Sequence, residues 1–207
     1  MAGFLGNLRN VIIAGVILAI IMIFCFGKYS NYGFGNEFWE SVFRWIHVFF
    51  GILWIGLLYY FNFVAARKTP EIPAELRPAL SKYITPEALF WFRWGAAGTV
   101  LAGIIVAILH GGDYAANVFT FGLAKPGAGS QAGFALMSVG IYLAIIMFLN
   151  VWGVIWPNQK KVLGIVQADD AAKASAARIA GMASRINVLL SLPMLTAMAM
   201  YETMFGH

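Results

Sequence analysis

VFRWIHVFFGILWIGLLYYFNFV, residues 42–64, decides the fold. It holds one arginine, Arg44, and one histidine, His47, among side chains that are otherwise apolar or aromatic apart from Asn62. A transmembrane helix needs about 20 such residues. No β-strand of a soluble sheet runs that long, and a soluble helix alternates an apolar stripe with a polar face. This stretch has no polar face, so its solvent is lipid.

The rest of the chain agrees. Hydrophobic residues make up 61% of the 207 and charged residues 11%, against roughly 25% charged in an ordinary soluble domain. Mean hydropathy is +0.77. Four further apolar runs, 11–26, 88–110, 134–156 and 186–205, give five expected spans in a single all-α domain, 1–207. Thr85-Pro86-Glu87 reads as the capped start of the third span, and Gly111-Gly112 ends it. Pro157 reads as the stop of the fourth, and Pro193 as a kink in the fifth. Residues 73–83 read as a short interfacial helix, and the alanine-rich 171–183 as helical.

Charge placement sets the expected orientation. With the N-terminus cytoplasmic, the inner side receives Arg9, Arg67, Lys68, Arg77, Lys82, Arg93, Lys160, Lys161, Lys173, Arg178 and Arg185. The outer side receives only Lys28, Arg44 and Lys125. Positive residues favour the cytoplasmic side, so the expected C-terminus is periplasmic and the expected location is a bacterial inner (cytoplasmic) membrane, multi-pass. The net charge of +5 is explained by this sorting and marks no nucleic-acid partner; membrane lipids are the partner implied.

Chemistry-bearing residues are few. Cys25 is the single cysteine, which excludes a disulfide framework, and it reads as a packing or lipid-facing residue. There is no phosphate-binding glycine loop, nucleophile elbow, H-E-x-x-H or carboxylate pair within a span. Of three histidines, His207 is the last residue and reads as frayed. His47 and His110 fall near one membrane face. Gly51 lies a turn below His47, Gly103 and Ala107 share the face of His110, and Arg44 lies a turn above His47. Small residues beneath histidines leave room for a flat macrocycle, with His47 and His110 as haem iron ligands and Arg44 near propionates. The same pattern also serves helix packing and headgroup contacts. Asn62, Asn150 and Asn187 read as interhelical hydrogen-bonding groups or as the lining of a substrate or quinone site. Tyr59, Tyr60, Trp91, Trp94, Trp152 and Trp156 read as an aromatic belt.

Four segments carry a resemblance. RWIH (44–47) with the run that follows it, PEALFWFRW (86–94), NVWGVIWPNQKK (150–161) and SRINVLLSLPML (184–195) resemble the membrane domain of bacterial membrane-bound urate hydroxylases, the urate oxidase N-terminal domain. The histidine-bearing helix also resembles, more distantly, that of haem-binding membrane protoporphyrinogen oxidases. The urate hydroxylase resemblance implies a multi-helix domain that passes electrons to a cytochrome c, which in that family is fused at the C-terminus and periplasmic. Here no such domain follows by residue 207, so the expected acceptor is a separate cytochrome c or a larger membrane redox complex. The family pattern also carries an acid after W-F-x-W, where this chain has Gly95; if that acid serves urate chemistry, this chain departs from it. The expectation is a haem b-binding redox protein, an oxidoreductase or an electron-transfer subunit. The alternative is a non-catalytic accessory subunit of a respiratory or photosynthetic complex. A transporter fits less well, because one internal proline makes no paired broken helices.

Overall fold

The computed structural model describes residues 2–29 and 33–205; His207 lies outside them. Among the described residues there is no strand, and five helices are long and apolar enough to cross a membrane: α1 (Leu8–Tyr29), α2 (Asn36–Glu71), α3 (Arg77–Leu109), α4 (Gln131–Val162) and α5 (Asp170–Phe205). A short helix, Tyr114–Phe119, lies between α3 and α4. Each expected span sits inside one of these helices, save that the third ran one residue past Leu109, but α2 to α5 are 32 to 36 residues long. At 1.5 Å per residue the 36-residue helices reach about 54 Å, well beyond a ~30 Å hydrocarbon layer. The alanine-rich 171–183 is the start of α5 itself, continuous with the fifth span.

Two expected boundaries are corrected. Thr85 caps nothing: it follows Ile84 in helical geometry, and the helix runs on from Arg77 through a π-helical turn, Leu80–Ile84. Pro157 does not stop α4, which passes through a π turn at Val151–Ile155 and continues to Val162. The physical reason is shared. A proline inside a helix lacks an N–H and crowds the carbonyl four residues back. Here each proline stands two residues after a π turn, whose wider winding displaces that carbonyl. Of the expected interfacial helix, residues 77–83 are thus the first part of α3, and 73–76 are a turn before it. Pro193 lies within α5, whose helical assignment is unbroken from Asp170 to Phe205.

Glycines set how closely the helices approach. α2 and α3 run antiparallel, with Trp54 level with Gly95, Phe50 with Gly98 and His47 with Gly103. A Cβ on Gly95 would lie 3.2 Å from the Trp54 backbone nitrogen, and one on Gly98 would lie 2.6 Å from the Phe50 ring. α4 meets α5 in the same way, Gly140 against Ala197 and Gly133 against Phe205. Lipid gives no hydrophobic push between helices, so this close dispersion contact is what holds them. The core between the four helices is built on Trp54, Leu58, Phe92, Met147 and Val151, each at most 1% exposed.

α1 stands largely apart. Gly27 is its single buried residue, admitting the Phe38 ring, and Cys25 is exposed. At the other end of α3, Gly111 and Gly112 turn the chain with φ of +80° and +53°, a conformation glycine takes without strain.

These contacts make glycine substitutions unequal. Gly98→Val should destabilise the bundle by about 1–3 kcal/mol through overpacking against Phe50. Gly51→Ala, whose methyl would meet only Thr99 Cγ2 at 3.8 Å, should be neutral or mildly stabilising. Thermal unfolding of the detergent-solubilised protein followed by circular dichroism checks both.

Candidate functional site

The site is built on the α2–α3 ladder. His47 Nδ1 lies 2.8 Å from the Thr99 carbonyl oxygen. A carbonyl only accepts, so Nδ1 carries the proton and donates. Nε2 makes no hydrogen bond with the described residues. The ring rests on Gly103, where an added Cβ would stand 2.9 Å from both Cε1 and Nδ1. The Thr99 hydroxyl is itself turned back, donating to the Gly95 carbonyl at 2.7 Å. The imidazole is therefore fixed in tautomer and orientation by α3.

His47 opens onto a cleft of about 830 Å³ between α2, α3 and α5, within the roughly 300–1,000 Å³ of small-molecule and cofactor sites. Gly51, Thr99, His110, Met194 and Tyr201 are among the residues that line it. Trp54 lines it too, and its indole Nε1–H is buried without an acceptor. Gly103 borders a smaller adjoining space of about 110 Å³, which His47 also lines.

At the mouth of the cleft the charges interlock. The Arg44 guanidinium donates through Nη2 to Glu40 Oε1 and pairs through Nη1 with Glu202 Oε2 at 2.7 Å. The second contact ties α2 to α5. His110 Nδ1 lies 3.0 Å from the same Glu40 oxygen, and its ring centre lies 4.0 Å from that of Tyr114, the two planes tilted by 41°. Tyr114 lies outside the spans. Burial, with its hydroxyl donating to Tyr201, holds its phenol above the ordinary tyrosine range, so it stays protonated at physiological pH.

The structure thus brings His47, His110, Arg44 and Gly51 to one cleft, with Gly103 behind His47. It does not put the histidines at one depth. Seven residues separate Gly103 from His110, a rise of about 10 Å, and His110 pairs with Glu40 instead of facing His47. Arg44 does sit a turn above His47, but two protein carboxylates already hold it. Of the residues the sequence reading did not single out, Glu40 was legible as the i,i+4 partner of Arg44. Glu202 and the Thr99 carbonyl had no sequence signal. Among the described residues no cluster of three His, Cys, Asp or Glu side chains is placed to hold a metal ion.

A second polar set closes the opposite half of the bundle. Asn150 donates to the Ala183 carbonyl at 2.8 Å and to Asn187 Oδ1 at 2.7 Å, and Asn187 donates to the Met147 carbonyl at 3.1 Å. Asn62 donates to Ser184 Oγ at 2.8 Å, and Tyr59 shares a hydrogen bond with Ser191 at 3.0 Å. All three asparagines therefore join helices, the simpler of the two roles expected for them.

Residues 116–207 match the family described as urate oxidase N-terminal. Over these residues the chain is similar to the urate oxidase N-terminal family. The matched stretch runs from the short helix through α4 and α5 and includes two of the four segments that carry the resemblance. His47, Arg44, Gly103 and His110 lie before it. No curated protein and no solved structure matches the chain.

The asparagine pair gives a measurable coupling. A double-mutant cycle of Asn150→Leu and Asn187→Leu, read by unfolding in detergent, should give an interaction of about 0.6–1.7 kcal/mol, the range of hydrogen bonds between membrane helices.

Proposed function

We propose that this chain is a haem b-binding membrane redox protein, related to the urate hydroxylase membrane domain, that passes electrons to a separate periplasmic cytochrome c or redox complex. The observation that carries the reading is His47: an imidazole with its Nδ1 proton committed to a backbone carbonyl, opening onto a cofactor-sized cleft. Metal-ligating histidines take this form, the outer hydrogen bond fixing the ring and raising the basicity of the other nitrogen. The orphaned Trp54 N–H supports it as well, since a buried donor without an acceptor is one a ligand can satisfy. The family match supports the relation to urate hydroxylases.

Bound haem supplies one-electron iron chemistry at this position. His47 would hold the iron through Nε2. Thr99 keeps the ring from turning, and Gly103 gives it space. The apolar walls of α2, α3 and α5 keep water from the group. The Glu40–Arg44–Glu202 bridge holds α2 and α5 together across the mouth. The basic residues sort to the opposite end of the bundle, which supports a periplasmic mouth and hence a periplasmic acceptor.

The purified protein should show a Soret band and give haem b in a pyridine hemochrome assay. His47→Ala should abolish the band. Gly103→Val, which pushes the ring off its seat, should weaken haem retention by about 10–100-fold. His110→Ala, two turns away, should leave the band in place. A colourless protein, or a band unchanged in His47→Ala, contradicts the reading.

A second reading, an accessory subunit of a larger membrane complex, is favoured by α1, whose apolar surface is left almost entirely outside the bundle. It predicts obligate comigration with a larger complex on blue-native gels and no haem in the isolated chain.

A further inference from the structure

We infer that the end of the bundle opposite the histidine cleft carries a binding site for the phosphate group of an anionic phospholipid, with Arg93 as its central donor. Arg93 lies on α3, between α3 and α4, and is 9% exposed. Its guanidinium lies 3.4 Å from the centre of the Trp156 ring. Nε and Nη1 are buried without a hydrogen-bond partner, and no described carboxylate pairs with the group. A buried charge with unsatisfied donors is costly unless an anion meets it. Planar guanidinium matches phosphate oxygens better than any other side chain does.

The surroundings specify which anion. Lys160 lies over the same Trp156 ring, its Nζ 5.9 Å from the ring centre, so one indole carries two cations. Lys161 follows it in the last turn of α4. Trp94 packs against Trp152 at 5.6 Å, which puts Trp152 level with Arg93, and the Trp152 Nε1–H is also buried without an acceptor. Phe90, Trp91 and Trp94 are between 42% and 51% exposed on the flank of α3, as in an interfacial belt. Basic side chains gathered between two membrane helices, at the lysine-rich end and flanked by lipid-facing aromatics, are the setting in which lipid headgroups are held. The site is separate from the His47 cleft and does not depend on haem.

The test uses the full chain in detergent, with phosphatidylglycerol, phosphatidylcholine and inorganic phosphate as probes, read by native mass spectrometry and by thermal shift. The wild type should retain phosphatidylglycerol in preference to phosphatidylcholine and gain thermal stability from it, and inorganic phosphate should neither compete nor stabilise. Arg93→Gln should weaken phosphatidylglycerol binding roughly fivefold or more, the effect of one basic residue at a headgroup. Lys160→Gln, on the surface side of Trp156, should weaken it less while folding normally, so the comparison survives if Arg93→Gln does not fold. Lys82→Gln, on the π turn that opens α3, should bind as the wild type does. Equal retention of the two lipids, unchanged binding in Lys160→Gln and in any folded Arg93→Gln, or equal protection by inorganic phosphate would each overturn the assignment, the last in favour of a soluble anion.

Discussion

The close approach of α2 and α3 governs the rest of the molecule. Gly95 and Gly98 remove the side chains that would otherwise keep the helices apart, and Trp54 and Phe50 fill the space they leave. Because the backbones come this near, His47 reaches the carbonyl of Thr99 on the opposite helix and finds its seat on Gly103. Replace those glycines with larger residues and the imidazole loses both its partner and its fixed direction. The histidine geometry is therefore a consequence of packing, and the cleft beside it is the volume that α5 leaves open against this tight pair.

The two ends of the bundle use polarity differently. At the cleft mouth, Arg44 pairs with the carboxylates of Glu40 and Glu202, and His110 meets Glu40, so one network joins α2, α3 and α5. Toward the other end, neutral amides and hydroxyls do the joining, with Asn150 and Asn187 at the α4–α5 contact and Asn62 reaching Ser184. Neutral groups avoid the desolvation cost a charge pays in lipid. Arg93 is the exception, a buried cation that meets only an aromatic face.

Much of the fold was legible in the sequence, and the reasons it was not wholly so are local. Apolar runs located all five spans, because lipid imposes a composition no soluble helix shares. Their ends were misjudged at Thr85 and Pro157 because proline reads as a boundary, whereas a preceding π turn lets a helix carry it through. The candidate site was legible in part: His47, Gly51, Gly103 and Arg44 were found from helical spacing, and all lie at or beside the cleft. The pairing of His47 with His110 was legible only as a shared membrane face. Their difference in depth depends on the register between α2 and α3, which spacing along one helix does not carry. The partner of His47 is a backbone carbonyl, which no side-chain pattern marks.

The central claim is that His47 keeps its proton on Nδ1 and presents Nε2 to the cleft. Nitrogen NMR of protein labelled at histidine, with His47 assigned by comparison with His47→Gln, tests it most directly. The account predicts a neutral ring with a protonated, hydrogen-bonded Nδ1 and an Nε2 without a proton. An Nε2–H tautomer, or an imidazolium at neutral pH, would contradict it.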